Sequence, residues 1–319
     1  MPKGTEENGN FFFVLFNVYF ITKKIIIHMI KWVIYMSLGI ALAGGGVKGA
    51  AHIGALKALE EMNIKIDYIG GTSSGSIVSS LYAAGFTPDE IYEIFKKYCK
   101  DIKYVDLCNI VKLIGGIIFT GKIIIDGLNS GKTIEKLITK MCEKKKIKNI
   151  SDIKMPLVIP TVDMCTGKVV CFTSYNMRKQ YSDNTEFIQD IPIGKAVRAS
   201  CSYPVVFSPC SYNNTKLIDG GIRENVPWKE LKELGADKVI SIMFENDTDK
   251  SCFKNIIEVA ENSIGLLCKE LSNYEMEGSD LTINIKSKKI SLLDMTKIDE
   301  LYELGYETVK KSNQLKNVI

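Results

Sequence analysis

Histidine is almost missing from this chain of 319 residues: only His28 and His52 are present, and none follows residue 52. Arginine is nearly as scarce, with Arg178, Arg198 and Arg223 the only three among 41 basic residues. With no arginine-rich face, no basic aromatic stripe and a net charge of only +4, the chain lacks the footprint of a nucleic-acid binder. The nine cysteines (Cys99, Cys108, Cys142, Cys165, Cys171, Cys201, Cys210, Cys252 and Cys268) include no C-x-x-C pair. Cysteines spaced like these cannot join two histidines in a zinc site. In a chain long enough to build its own core they read as reduced thiols, which places the protein in the cytoplasm. Internal repeats and low-complexity linkers are also absent, so one domain is expected.

The first 35 residues differ from the rest. Phe11 to Ile21 is apolar with one Asn, followed by Lys23-Lys24 and then Ile25 to Ile30. The run falls short of the ~20 apolar residues of a membrane span. It also lacks the basic start and A-x-A site of an export signal. Two readings stand: a membrane-associating segment, or an extension read from upstream of a start at Met36. The second is the expectation, with residues 1–35 outside the fold and residues 36–319 forming the domain, whose C-terminal part is mostly helical.

From Met36 onward, apolar periodicity predicts alternating strands and helices. Strands are expected at 38–43, 64–69, 156–163, 168–173, 216–218, 237–244 and 281–285. Helices are expected from about residue 51, at 75–84, 88–99, 131–143 and 228–234. Thr87-Pro88-Asp89-Glu90 is a helix start, with Thr as N-cap and Pro in first position. Residues 101–125 are apolar, contain glycine and fit no element clearly; an insertion over the active site is one use for them. Lys144, Lys145, Lys146 and Lys148 read as a solvated helix end that can also touch anionic lipid. The alternation argues for an α/β fold, a sheet with helices on both faces.

Gly71-x-Ser73-x-Gly75 lies between a strand and a helix, which is the context of a nucleophile elbow. Flanking glycines suit such a turn, because it uses backbone angles poorly open to other residues and leaves the hydroxyl accessible. Gly44-Gly45-Gly46-Val47-Lys48-Gly49 follows the first strand and opens a helix. It is not a dinucleotide loop, because no acidic residue closes a second strand about 20 residues on. Its other use is an oxyanion hole, with unobstructed N–H groups of Gly44, Gly45, Gly46 and Val47 converging on developing charge and Lys48 adding an exposed positive charge. Gly127 to Thr133 has three residues instead of four between its glycines and is no P-loop.

A serine on an elbow with a histidine base has that histidine last in chain order, and no histidine follows residue 52. A buried carboxylate can serve instead if burial raises its pKa. The best candidate is Asp219 in Asp219-Gly220-Gly221, although alone this tripeptide also fits a simple turn.

Together, Gly44-Gly45-Gly46-x-x-Gly49, Gly71-x-Ser73-x-Gly75 and Asp219-Gly220-Gly221 resemble the patatin-like phospholipase family, the bacterial type of serine lipid acyl hydrolase. Arg198-Ala199-Ser200-x-x-x-Pro204-x-x-Phe207-x-Pro209 and Asn225-Val226-Pro227 extend the resemblance, which covers residues 37 to about 245. It implies a three-layer fold around a central, mostly parallel sheet, and a catalytic dyad of Ser73 and Asp219 acting on acyl esters of phospholipids or other lipids. The glycine loop becomes the oxyanion hole, with Lys48, Gly49, Gly71, Gly75, Gly220 and Gly221 in support. His52 packs behind the loop. No metal or cofactor is called for, nucleic acid is not a partner, and peripheral contact with a membrane is compatible. An acyltransferase and a non-catalytic lipid binder of the same fold are the alternatives.

Overall fold

Leu38–Leu42 (β1) is apolar at every position because both faces of the sheet around it are covered: all five residues are buried. The computed structural model describes residues 19, 22–24, 36–99, 106–176, 184–246, 256–287, 290 and 294–317. The chain falls into two units, Met1–Met36 and Ser37–Ile319. In the first, only Tyr19 and Thr22 to Lys24, all helical, and the terminal Met36 are described. Apart from Tyr19, the apolar run at 11–21 lies outside the described residues.

In the second unit, β1 leads through a short 3-10 turn to Gly49–Glu61 (α1), Tyr68–Gly71 (β2), Ser74–Ala83 (α2), Pro88–Cys99 (α3), Leu107–Thr120 (α4) and Lys132–Lys144 (α5). Then come Leu157–Asp163 (β3), Val169–Thr173 (β4), Thr185–Ile188 (β5), Ile193–Ser200 (α6), Cys210–Tyr212 (β6) and Thr215–Asp219 (β7). Trp228–Leu234 (α7), Lys238–Asn246 (β8), Ile256–Met276 (α8), Leu281–Ser287 (β9) and Ile298–Lys310 (α9) follow. The helix start at Thr87 is as expected and forms a capping box: Glu90 N–H donates to Thr87 Oγ1 (3.2 Å) and Thr87 N–H to Glu90 Oε2 (2.9 Å).

One expectation is corrected and one open stretch is assigned. The strand expected at 64–69 is confined to Tyr68–Gly71. Asn63 in a left-handed conformation ends α1, and Ile64 N–H turns back to Leu59 O (3.0 Å), so Ile64 and Ile66 are buried in a connection. The unassigned stretch at 101–125 contains α4; residues 101–105 lie outside the described set.

The sheet runs β5-β4-β3-β2-β1-β8-β9. The pairs β1–β2, β2–β3, β1–β8, β8–β9 and β4–β5 are parallel; β3–β4, β3–β7 and β6–β7 are antiparallel. Alternate residues serve two cores. Ile40, Leu42, Ile69 and Ile240 pack with α1 and α2, whereas Ala41, Val158, Val239 and Met243 pack with Leu231 of α7. This is the expected mostly parallel sheet with helices on both faces.

One register sets up the site. Along one edge, β3 pairs with β4 over Val158 to Val162. Its other edge must therefore hold both β2, at Leu157 and Val158, and β7, at Thr161 to Asp163. Because β2 runs parallel to β3 and β7 antiparallel to it, the carboxyl ends of β2 and β7 point toward each other.

Helices α1 and α9 cross where Gly54 meets Gly305. A Cβ on Gly54 would run into the Tyr302 carbonyl, and one on Gly305 into that of Ala51. Gly54→Ala and Gly305→Ala are each expected to destabilise the fold by about 1–3 kcal/mol through overpacking, read as a lower urea midpoint. An unchanged midpoint in both would mean that the crossing tolerates extra volume.

Candidate active site

Ser73 lies between the end of β2 and the start of α2, with φ 51° and ψ −121°. A non-glycine residue held there stores on the order of 1–3 kcal/mol, so its surroundings must fix it. Ser73 N–H donates to Ser200 Oγ (3.0 Å), and Ser200 Oγ in turn donates to Pro160 O (2.7 Å). Thr72 N–H donates to Leu42 O (3.1 Å) and Thr72 Oγ1 to Glu224 O (3.0 Å). The flanking glycines are required for space, which corrects the expectation that they supply unusual angles. A Cβ on Gly71 would strike the Gly75 carbonyl and one on Gly75 the Leu42 carbonyl, while the positive φ belongs to Ser73 itself.

Asp219 ends β7 and is 1% exposed. Its N–H donates to Ser202 O (3.0 Å), and its Oδ1 accepts from Gly221 N–H (2.9 Å). Burial pushes its carboxyl up to about 7, against the Ser73 side chain and the Gly221 N–H, which favour the charged form. Among the described residues Oδ2 has no hydrogen-bond partner. The serine side chain is beside the carboxyl. A Cβ on Gly220 would press on the Pro160 carbonyl, and one on Gly221 would come within 3.2 Å of Asp219 Oδ1.

The glycine loop leaves β1 beside this pair. The first N–H groups of a helix have no partners within it. Those of Gly45, Gly46 and Val47 donate to no acceptor among the described residues. Gly44 departs from the expectation: its N–H is taken by Asn225 Oδ1 (3.0 Å). Gly46 has φ 58°, and a Cβ on Gly45 would come within 2.7 Å of the Phe244 ring. Gly49 packs on Ser74, where a Cβ would sit 3.0 Å from the serine Cβ.

Lys48 was expected to be an exposed charge; instead it is 2% exposed, 5.8 Å from the centre of the Phe244 ring, and burial lowers its pKa to about 8. His52 is behind the loop. Its Nε2 is 2.8 Å from Ala43 O, which can only accept, so Nε2 carries the proton. Burial lowers its pKa to about 4, and its ring lies 4.6 Å from that of Phe244. It is a neutral ring that holds the base of the loop.

Three residues support the site, two of them, Asn225 and Arg198, in segments that the resemblance marks and one, Glu275, outside them. Asn225 joins the glycine loop to α8: besides accepting from Gly44, its Nδ2 donates to Ser272 Oγ (2.8 Å). Glu275 of α8 accepts the N–H groups of Asn225 (3.0 Å) and Val226 (3.1 Å). Arg198 binds Ser130 O (2.6 Å), Ser208 O (2.8 Å) and Ser202 Oγ (3.0 Å), fixing the stretch that precedes Asp219. The tripeptide Asn225-Val226-Pro227 was visible as a pattern; Glu275, 50 residues further on, had no local signal.

A strained serine between a parallel strand and a helix, a buried aspartate and a glycine loop define an α/β protein with a serine-centred site. The patatin-like phospholipase family model matches residues 40–232, and the chain belongs to that family. It is 31% identical to YqhO of Bacillus subtilis over 201 residues, 60% of this chain and 66% of that protein. It is 30% identical to the probable lipid hydrolase 463L of invertebrate iridescent virus 6, covering 59% of this chain and 61% of that one. To the lysophospholipase NTE1 of Candida albicans it is 26% identical, covering 65% of this chain and 13% of the fungal protein. The chain thus spans somewhat less than two thirds of the first two and a small part of the third. Among solved structures, VipD of Legionella pneumophila aligns with a TM-score of 0.48 at 15% identity, covering 89% of this chain and 67% of that one.

Glu224 and Glu275 are both pushed up to about 8, chiefly by burial. A carboxyl whose pKa is raised by folding contributes stability that is full below the unfolded value and is lost as pH rises through the folded one. The urea midpoint is therefore expected to fall between pH 5 and 8, where unfolded chains release these protons and the native state retains them. Glu224→Gln has no proton to lose there and should flatten the fall. A profile identical to wild type would show that Glu224 is not titrating within the fold.

Proposed function

We propose that this protein is a lipid acyl hydrolase of the phospholipase A, lysophospholipase or esterase type, working through a Ser73–Asp219 dyad and an acyl-enzyme. The observation that carries the reading is the meeting of Ser73, on its strained turn, with a buried Asp219 whose pKa is about 7. A carboxylate titrating there is half ionised near neutrality and can accept a proton. Ser73 Oγ attacks the ester carbonyl as Asp219 takes its proton, and the N–H groups of Gly45, Gly46 and Val47 stabilise the oxyanion. The alkoxide of the leaving group departs with that proton. Water then attacks the acyl-serine, Asp219 again accepts a proton, and Ser73 regains it as the fatty acid leaves. Residues 36–319 are taken as the catalytic domain, with the first 35 outside this chemistry. The names of the lysophospholipase and lipid hydrolase relatives support the substrate class.

Ser73→Ala and Asp219→Ala should each lower kcat on lipid and p-nitrophenyl esters by about 10³-fold or more, and the double variant should lose little further. In wild type, kcat/KM should fall as pH drops below about 7, because protonated Asp219 cannot accept the serine proton. Asp219→Ala retaining activity within about tenfold of wild type would exclude the dyad. Turnover in the presence of an acceptor alcohol, with ester formed instead of acid, would indicate a transferase.

Gly45→Ala should cost at least ~2.7 kcal/mol of transition-state stabilisation, the loss of about one oxyanion donor. The added methyl would have to displace either Phe244 or the loop. Unchanged kcat in this variant would remove the loop from the oxyanion site.

A further inference from the structure

Helix α4 is built with its apolar side outward. At helical spacing, Leu107, Val111, Ile114 and Ile118 line one face, and all four are exposed. On the opposite face Gly116 is buried, and Asn109 Nδ2 donates to Gly127 O (3.1 Å). Phe119 is 84% exposed just before Gly121, in a left-handed conformation, ends the helix. A soluble helix puts such a face against a core, and an exposed contiguous apolar patch marks an interaction surface.

Charge selects what the face meets. Between Asp106 and Asp126 the sequence holds Lys112 and Lys122, both exposed, and no acidic residue. That sign suits anionic lipid headgroups, which lysines reach while their stems and neighbours lie in the acyl boundary. Lys112 flanks the apolar face and Lys122 follows the helix, while the acids Asp106 and Asp126 stand only at the two ends of the stretch; a second copy of this chain is the competing occupant. No described helix is long and apolar enough to cross a membrane, and a helix lying in the interface needs only one apolar face to bury.

The helix is also joined to the active site. Asp106 N–H donates to Leu128 O (2.9 Å), and Leu128 N–H to Val205 O (3.0 Å). Arg198 then grips Ser130 O from α6, whose Ser200 holds the Ser73 N–H. We propose that α4 and residues 121–124 are the surface by which this protein docks on an anionic phospholipid bilayer. The purpose of that docking, delivery of substrate, rests on the hydrolase reading; the docking itself does not.

The test uses the full chain and an Ile114→Glu/Ile118→Glu variant, both positions exposed. Sedimentation is measured with vesicles of phosphatidylcholine alone and of phosphatidylcholine mixed with phosphatidylglycerol. Wild type should bind the mixed vesicles more strongly than the neutral ones, and the variant's partition should be weaker by about tenfold or more. Turnover of a short water-soluble ester should be equal in both proteins. Ile118→Trp should add fluorescence that brominated lipid quenches. Equal partition of wild type and double variant would overturn the proposal. So would a wild-type dimer in solution that the variant splits, which would assign the face to a second copy. If short-ester turnover were absent from both proteins while vesicle binding followed the expected pattern, the hydrolase reading would fail and the docking surface would stand.

Discussion

The site depends on the shared edge of β3. That strand gives one end of its edge to β2 and the other to β7, in opposite directions. The serine turn after one strand and the aspartate at the end of the other are thereby brought together by backbone pairing. The partners are nearly 150 residues apart in the chain, and side-chain contacts alone could not place them with such economy. Pro160 at the middle of β3 reinforces this: its carbonyl accepts from Ser200, which holds Ser73, and closes against Gly220 beside Asp219.

Convergence of this kind buries groups that prefer water. Asp219, Glu224, Glu230 and Glu275 all have raised pKa values, with burial the largest cause in each. Lys48 is depressed by the same effect. Keeping a carboxyl out of water costs stability near neutral pH, and at Asp219 the same penalty produces a carboxyl that titrates near neutral pH. Glu275 has a different use, holding two backbone N–H groups next to the asparagine that restrains the glycine loop. Restraint of this loop and strain at Ser73 belong to one design, in which neighbouring segments fix a geometry that the local chain would not adopt alone.

Much of this was legible in the sequence where the signal is local. The elbow, the glycine loop and the Asp-Gly-Gly turn are each written in a few adjacent residues, and continuous apolar runs betray strands covered on both faces. What escaped is set by distant partners. β5 and β6 are short, with pairings rather than composition to define them. Ile64 and Ile66 look like strand residues but are buried in a connection, because Asn63 turns the chain back on its helix. Lys48 looked exposed because lysine usually is; Phe244 of β8, nearly 200 residues later, covers it. Gly44 looked like an open donor until Asn225 was placed beside it.

The central claim is that Ser73 is the nucleophile and that Asp219, without histidine, is its base. Reaction with a fluorophosphonate tests it most directly, because such a probe forms a lasting bond with an activated serine and needs no knowledge of the natural lipid. Peptide mass spectrometry of the wild-type protein should find one adduct, on Ser73, formed at a rate that falls as pH is lowered through about 7. Asp219→Asn should slow that reaction by about 10²-fold or more. An adduct on another residue, or a rate in Asp219→Asn within about tenfold of wild type, would contradict the account.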